Sequence, residues 1–79
     1  MRIHVTYYAI LREQRGAEAE AIEVESPSLR QLYRSLANTY LFTYSEAQIR
    51  PAVNDEFTDW DRPLAPGDHV VFVSPVAGG

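Results

Sequence analysis

One amphipathic helix with a legible start sits in the middle of this chain, and it constrains the fold more than any other feature. Ser28 stands where a side-chain oxygen can cap free backbone N–H groups, and Gln31 follows three residues later at the returning position of a capping box. Leu29, Leu32, Tyr33, Leu36 and Tyr40 then recur at helical spacing as a single apolar stripe. One stripe of this kind buries itself against a sheet, so the flanking segments must supply the strands.

They do so on both sides. From Arg2 to Tyr8 the residues alternate, with Ile3, Val5 and Tyr7 on one face and His4, Thr6 and Tyr8 on the other. Ala9 to Gln14 is compatible with a helical connection that Gly16 breaks. Ala21 to Glu25 alternates again, with Ile22 and Val24 inward, which predicts an antiparallel hairpin with the first strand. Beyond the helix, Leu41 to Gln48 shows neither period and reads as loop. Ile49 to Asn54 forms a strand that Pro51 confines to an edge or a bulge. Asn54-Asp55 signals a turn and Phe57 to Trp60 a short return strand. In Leu64-Ala65-Pro66-Gly67-Asp68, Pro66 and Gly67 fit a type II turn, which delivers the chain into a last β-branched strand, Val70 to Val73. A crossover through the helix lets this last strand pair parallel with the first at the sheet centre. The expected class is α+β, a β-grasp: a mixed sheet with one main helix on one face.

After that strand the chain thins. Pro75 cannot donate to a ladder, and Val76, Ala77, Gly78 and Gly79 end in a bare carboxylate. The expected division is a domain over residues 1–74 and a tail over residues 75–79. Five residues at roughly 3.3 Å each reach about 16 Å, long enough to enter a narrow cleft in another protein. A Cβ at either terminal glycine would collide with walls that close on the backbone.

Composition narrows the function. A chain of 79 residues holds one core that buries only about 60–65% of its unfolded surface, which leaves limited room for an internal active site. A net charge of −4 argues against nucleic acid as a partner and for a basic protein surface. No apolar run approaches a membrane span, and the N-terminus opens into a strand rather than a signal sequence. The absence of cysteine excludes disulfides and thiol nucleophiles and agrees with a cytoplasmic location. All seven cations are arginines, which reads first as a general preference for arginine among solvated surface charges; it also means that an activated C-terminal acyl group would meet no side-chain amine on its own chain. Asp59, Asp61 and Asp68 with His69 have no second histidine or compact oxygen-ligand loop beside them, so no metal site is expected.

Several blocks together carry a family resemblance: Tyr8-Ala9 with Leu11-Arg12-Glu13 and Gly16, the capped helix, Ala52-Val53-Asn54, Asp61-Arg62-Pro63-Leu64 with Pro66-Gly67-Asp68, and then Val70, Phe72 and Pro75-Val76-Ala77-Gly78-Gly79. In this order and spacing the chain resembles the small subunits of molybdopterin synthase, the MoaD family of ubiquitin-like sulfur carriers. It departs from that pattern at Tyr8, often phenylalanine, and at Ser74, often proline. The resemblance implies that a ubiquitin-activating-type adenylating enzyme uses ATP to adenylate Gly79 and that sulfur then replaces AMP. The Gly79 thiocarboxylate would then enter the large synthase subunit and give its sulfur to cyclic pyranopterin monophosphate, within a heterotetramer. The chain would carry the reacting atom and bind no cofactor, with the catalytic groups on the large subunit. Tyr8 and Val73 fall on outward faces of neighbouring strands, and the resemblance adds Phe57; these three form the expected partner contact, with Arg12 and Arg62 at its rim. Phe57 alternatively closes the small core of the second hairpin. Two other functions share the same acyl-adenylate chemistry: a sulfur carrier for thiamine synthesis or tRNA thiolation, and a ubiquitin-like protein modifier.

Overall fold

The computed structural model describes residues 1–75. Seven elements follow in order: β1 (Arg2–Thr6), α1 (Ala9–Arg15), β2 (Ala19–Glu23), α2 (Leu29–Tyr40), β3 (Arg50–Val53), β4 (Glu56–Phe57) and β5 (His69–Val73). They build one five-stranded sheet in the order β2-β1-β5-β3-β4. β5 runs parallel to β1, with Val70 beside Val5, and antiparallel to β3. This is the β-grasp arrangement expected from the element order.

The core lies between the sheet and the two helices. Ile3, Val5 and Tyr7 from the first strand and its extension meet Val70 and Phe72 from β5, and Leu29, Leu32, Tyr33 and Leu36 of α2 close over them. α1 adds Leu11, which is fully buried, and ends at Gly16, whose φ of 81° lets its N–H return to the Arg12 carbonyl. An aromatic group fills the centre. Tyr33 stands edge-on to Phe72 at 5.1 Å between centroids, and Trp60 stacks on Phe72 at 5.9 Å.

Four details depart from the sequence reading. The cap at Ser28 forms, its hydroxyl accepting from the Gln31 N–H at 3.1 Å, but the Gln31 side chain does not return the bond; the Ser26 hydroxyl accepts the Ser28 N–H instead. β2 begins two residues earlier than the expected Ala21–Glu25 and ends at Glu23. β3 is not an edge strand, because β4 flanks it on the side away from β5. Pro51 is accommodated by shortening β4: the Thr58 N–H donates to the Pro51 carbonyl at 3.0 Å, proline has no N–H to return that bond, and the ladder stops. The return strand therefore covers Glu56–Phe57 rather than Phe57–Trp60, and Trp60 turns inward, its Nε1 donating to the Glu46 carbonyl. The Asn54-Asp55 turn is a two-residue hairpin loop with positive φ at both residues, 52° and 70°. Gly67, at φ 83°, completes the expected turn from Ala65 to Asp68.

The earlier start of β2 brings in Glu20, a carboxylate at an inward-facing position. It is held by three bonds: the Tyr7 hydroxyl donates to Oε2 at 2.6 Å, and Arg15 donates from Nε to Oε2 at 2.7 Å and from Nη2 to Oε1 at 2.9 Å. Arg15 in turn lies 4.2 Å above the Tyr40 ring. The Arg15 guanidinium holds the Glu20 carboxyl below its ordinary range, against a smaller opposing effect of burial, while burial and then Glu20 push the Tyr7 phenol up. A carboxyl whose folded pKa is depressed stabilises the fold above its unfolded value of about 4.3, and that stabilisation is lost as pH falls through the folded value. Glu20→Gln is accordingly expected to cost about 1–3 kcal/mol near neutral pH. The gap from the parent should shrink on acidification, as read from urea melts across the acid range. A gap that stayed constant with pH would show that the carboxylate's charge contributes nothing.

Candidate functional site

The two helices cover one face of the sheet and leave the other open. Alternation and register determine what that face displays. Thr6, Val71, Ala52 and Phe57 are successive cross-strand neighbours and form one row over four strands. Val73 and Arg50 begin the next row, towards the end of β5, and Tyr8 follows Thr6 by two residues on the same side. Three large apolar side chains are left exposed among the described residues: Tyr8, Leu41 and Phe57, at 53%, 77% and 57%. Two of these three belong to the open face.

Tyr8 and Val73 come together as the sequence suggested. With Ala9, Gln48, Arg50 and Pro75 they line a concavity of about 680 Å³ where the chain leaves the sheet. The site thus forms at the root of the C-terminal segment. Phe57 stands one strand beyond, joined to the concavity by Arg50, whose guanidinium lies 4.2 Å above the Phe57 ring. The side chain of Phe57 therefore faces outward and closes no core. Ala9 turns the chain out of the first strand with a left-handed φ of 52°, a conformation that costs roughly 1 kcal/mol outside glycine.

Of the expected rim residues, Arg12 is exposed on α1, 3.9 Å from Glu18. Arg62 donates to the Val53 carbonyl at the opposite end of β3 from Arg50, so it does not border this concavity. Arg50 and Gln48 were missed by sequence reasoning. Arg50 carried one signal, its place two residues before Ala52 on the outward side of β3, but its closeness to Val73 depends on strand register. Pro75 is the last described residue; Val76, Ala77, Gly78 and Gly79 lie outside the described residues.

The histidines and aspartates have other roles. His69 shares the open face with its cross-strand neighbour His4, and its Nε2 lies 2.7 Å from the Thr6 hydroxyl oxygen. A second histidine thus does stand beside His69, contrary to the sequence reading. Asp68 is buried and structural, accepting from the Asn54 side-chain amide and the Ala65 N–H. Among the described residues, no three histidine, aspartate or glutamate side chains gather into a metal-ligating group.

What the described residues bring together here is an exposed aromatic ring, a strand-end valine and a fixed positive charge beside the point where the chain leaves the sheet. Residues 5–79 match the ThiS family, a span that reaches the last glycine. The chain belongs to the ThiS family. Within the same group of likenesses, it is 31% identical to the molybdopterin synthase sulfur carrier subunit of Escherichia coli K12, over 98% of this chain and 99% of that protein. A solved Pyrococcus furiosus structure, described as a candidate subunit 1 of molybdopterin converting factor, superimposes with a TM-score of 0.79 at 27% identity, covering 96% of this chain and 99% of that one. The complex of subunits 1 and 2 of molybdopterin-converting factor from Helicobacter pylori contains a chain that matches with a TM-score of 0.69 at 24% identity, over the full length of both. ThiS-family membership and the ubiquitin-like fold therefore coincide. Among the described residues of this ThiS-family chain, no helix is long and apolar enough to cross a membrane.

Proposed function

We propose that this chain is the sulfur-carrier subunit of a molybdopterin synthase. The observation that carries the reading is the identity to the Escherichia coli sulfur carrier subunit along essentially the whole of both chains. A carboxylate is a poor electrophile, so an adenylating partner must first exchange ATP for an acyl-AMP at Gly79, releasing pyrophosphate. A sulfur nucleophile then expels AMP and leaves a thiocarboxylate. In the large synthase subunit that sulfur passes to cyclic pyranopterin monophosphate. Two such deliveries supply the two sulfurs of the dithiolene.

In this reading residues 1–74 are the recognition domain and residues 75–79 the reactive arm. Tyr8, Val73 and Phe57 give the large subunit an apolar contact beside the root of the arm, and Arg50 adds a fixed positive charge between them. The large subunit supplies the acid–base groups, and ATP is bound by the adenylating enzyme rather than by this chain. The Helicobacter pylori complex, in which subunit 1 is paired with subunit 2, supports a large-subunit partner for the same fold.

The test is intact-protein mass spectrometry after incubation with ATP, an adenylating enzyme of this pathway and a sulfur donor. The expected result is a mass gain equal to the exchange of one oxygen for sulfur, localised to Gly79 and lost on adding the large subunit with pyranopterin substrate. Thiocarboxylate that forms without being discharged would move the protein to another sulfur pathway. No modification at all would leave an amide-forming modifier or a purely binding domain.

A further inference from the structure

Among the described residues, strand β2 lies at an edge of the sheet, with β1 on one side and no strand on the other. The antiparallel ladder decides which of its backbone groups stay free. Val24 exchanges both hydrogen bonds with Met1, and the Tyr7 N–H donates to the Glu18 carbonyl. The alternation then turns Glu20 and Ile22 towards β1 and leaves Ala19, Ala21 and Glu23 with N–H and C=O aimed outward. A row of unpaired groups is a template for another strand. Proteins commonly blunt such edges with proline, lysine, a bulge or an inward-pointing charge; β2 carries only the last of these, Glu20, which Tyr7 and Arg15 neutralise from within, and its register is unbroken.

The free edge opens onto a cleft. Between β2 and α2 runs a groove of about 290 Å³, with Ile22, Val24, Leu32 and Leu36 among its walls and Glu23 and Glu25 on its rim. Glu23 is two-thirds exposed and faces both Arg2 at 3.0 Å and the Met1 ammonium at 3.8 Å, while Glu25 makes no ion pair among the described residues and is the freer of the two charges. Apolar walls on one side and carboxylates on the other match the two faces of a pleated strand.

We propose that this edge and groove dock an extended peptide of alternating apolar and basic residues, added to the sheet as a sixth strand beside β2. Its backbone pairs with Ala19, Ala21 and Glu23. Its apolar side chains enter the groove, and its basic ones lie over Glu23 and Glu25. A second copy of the chain is the poorer occupant, because two molecules of net charge −4 would meet through the same acidic rim. The edge is separated from Arg50 and Phe57 by β1 and β5, so it can be filled while the open face is engaged.

Amide spectra of the ¹⁵N-labelled full chain, titrated with the end-blocked peptide Ile-Lys-Val-Lys-Ile-Lys-Val, test this. At saturation the amides of Ala19, Ala21 and Glu23 should shift and exchange with solvent at least about tenfold more slowly, while those of Phe57 and Val73 stay in place. Joint Glu23→Lys and Glu25→Lys substitution should weaken binding about tenfold or more. So should Ala21→Pro, which removes one outward N–H and no bond to β1. The same peptide with glutamate for lysine should not bind. The proposal is overturned if no peptide binds, if the shifts fall on the open face, or if the lysine and glutamate peptides bind equally. Protection of the edge that appears with protein concentration alone would assign it to a second copy and overturn it too. The charge-reversal pair keeps the test decisive should Ala21→Pro disturb folding.

Discussion

Deleting Gly79 is expected to reduce sulfur delivery by more than about 100-fold while leaving the fold intact. The terminal carboxylate moves back by one residue, about 3.5 Å of extended chain. A misplacement of about 1 Å at a reacting centre already costs on the order of 10²-fold, so a carboxylate several ångströms short of the adenylating and transferring groups falls out of reach. Stability should not follow, because the described core ends at Phe72 and the last ladder pair joins Val73 to Arg50. Single-turnover sulfur transfer and thiocarboxylate yield measure the first effect, and the thermal midpoint measures the second. A shortened chain that still completed the dithiolene at the parent rate would remove Gly79 from the chemistry.

Phe72→Ala is expected to cost about 3–5 kcal/mol. Phe72 is 1% exposed, lies in the central strand and has Tyr33 edge-on at one side and Trp60 stacked at the other, so its loss opens a void between two large rings that cannot easily collapse. Typical stabilities of about 0.05–0.15 kcal/mol per residue give a chain of this length only about 4–12 kcal/mol in total. The substitution should therefore lower the thermal midpoint by at least about 12 °C, and at the upper end unfold the protein. Urea denaturation followed by Trp60 fluorescence reads the change directly. A loss below about 1 kcal/mol would mean that the aromatic centre is loosely packed. Where the variant unfolds, sulfur delivery is lost together with the fold, which separates it from the Gly79 deletion.

Much of the sheet was legible because its signals are local. Ile3-Val5-Tyr7 alternate with polar residues, so a one-residue slip of β1 would carry its apolar side chains to the wrong face, and the β-branched run Val70–Val73 marks β5 as a strand although its apolar residues lie on both faces. The start of α2 was legible for the same reason, since Ser28 caps an N–H only three residues away. The missed boundaries depend on distant partners. Glu20 falls just before the strand expected from Ala21 until Tyr7 and Arg15 close on it, and β4 reads as running to Trp60 until Pro51 fails to return a bond from the facing chain. Arg50 entered the site through its register with Val73, a pairing across more than twenty residues of chain that no local pattern encodes.

By itself the sequence determined the class of the fold, the crossover that sets β5 parallel to β1, and a C-terminus of proline and small residues ending in Gly-Gly, because hydrophobic period, capping and turn chemistry act over a few residues. The tertiary structure alone decided where Tyr8, Arg50, Val73 and Phe57 meet, which edge of the sheet stays free, and how a carboxylate can sit at an inward position of β2. Each of those outcomes is a pairing between segments far apart in the chain, whose energy exists only once the strands have taken their register.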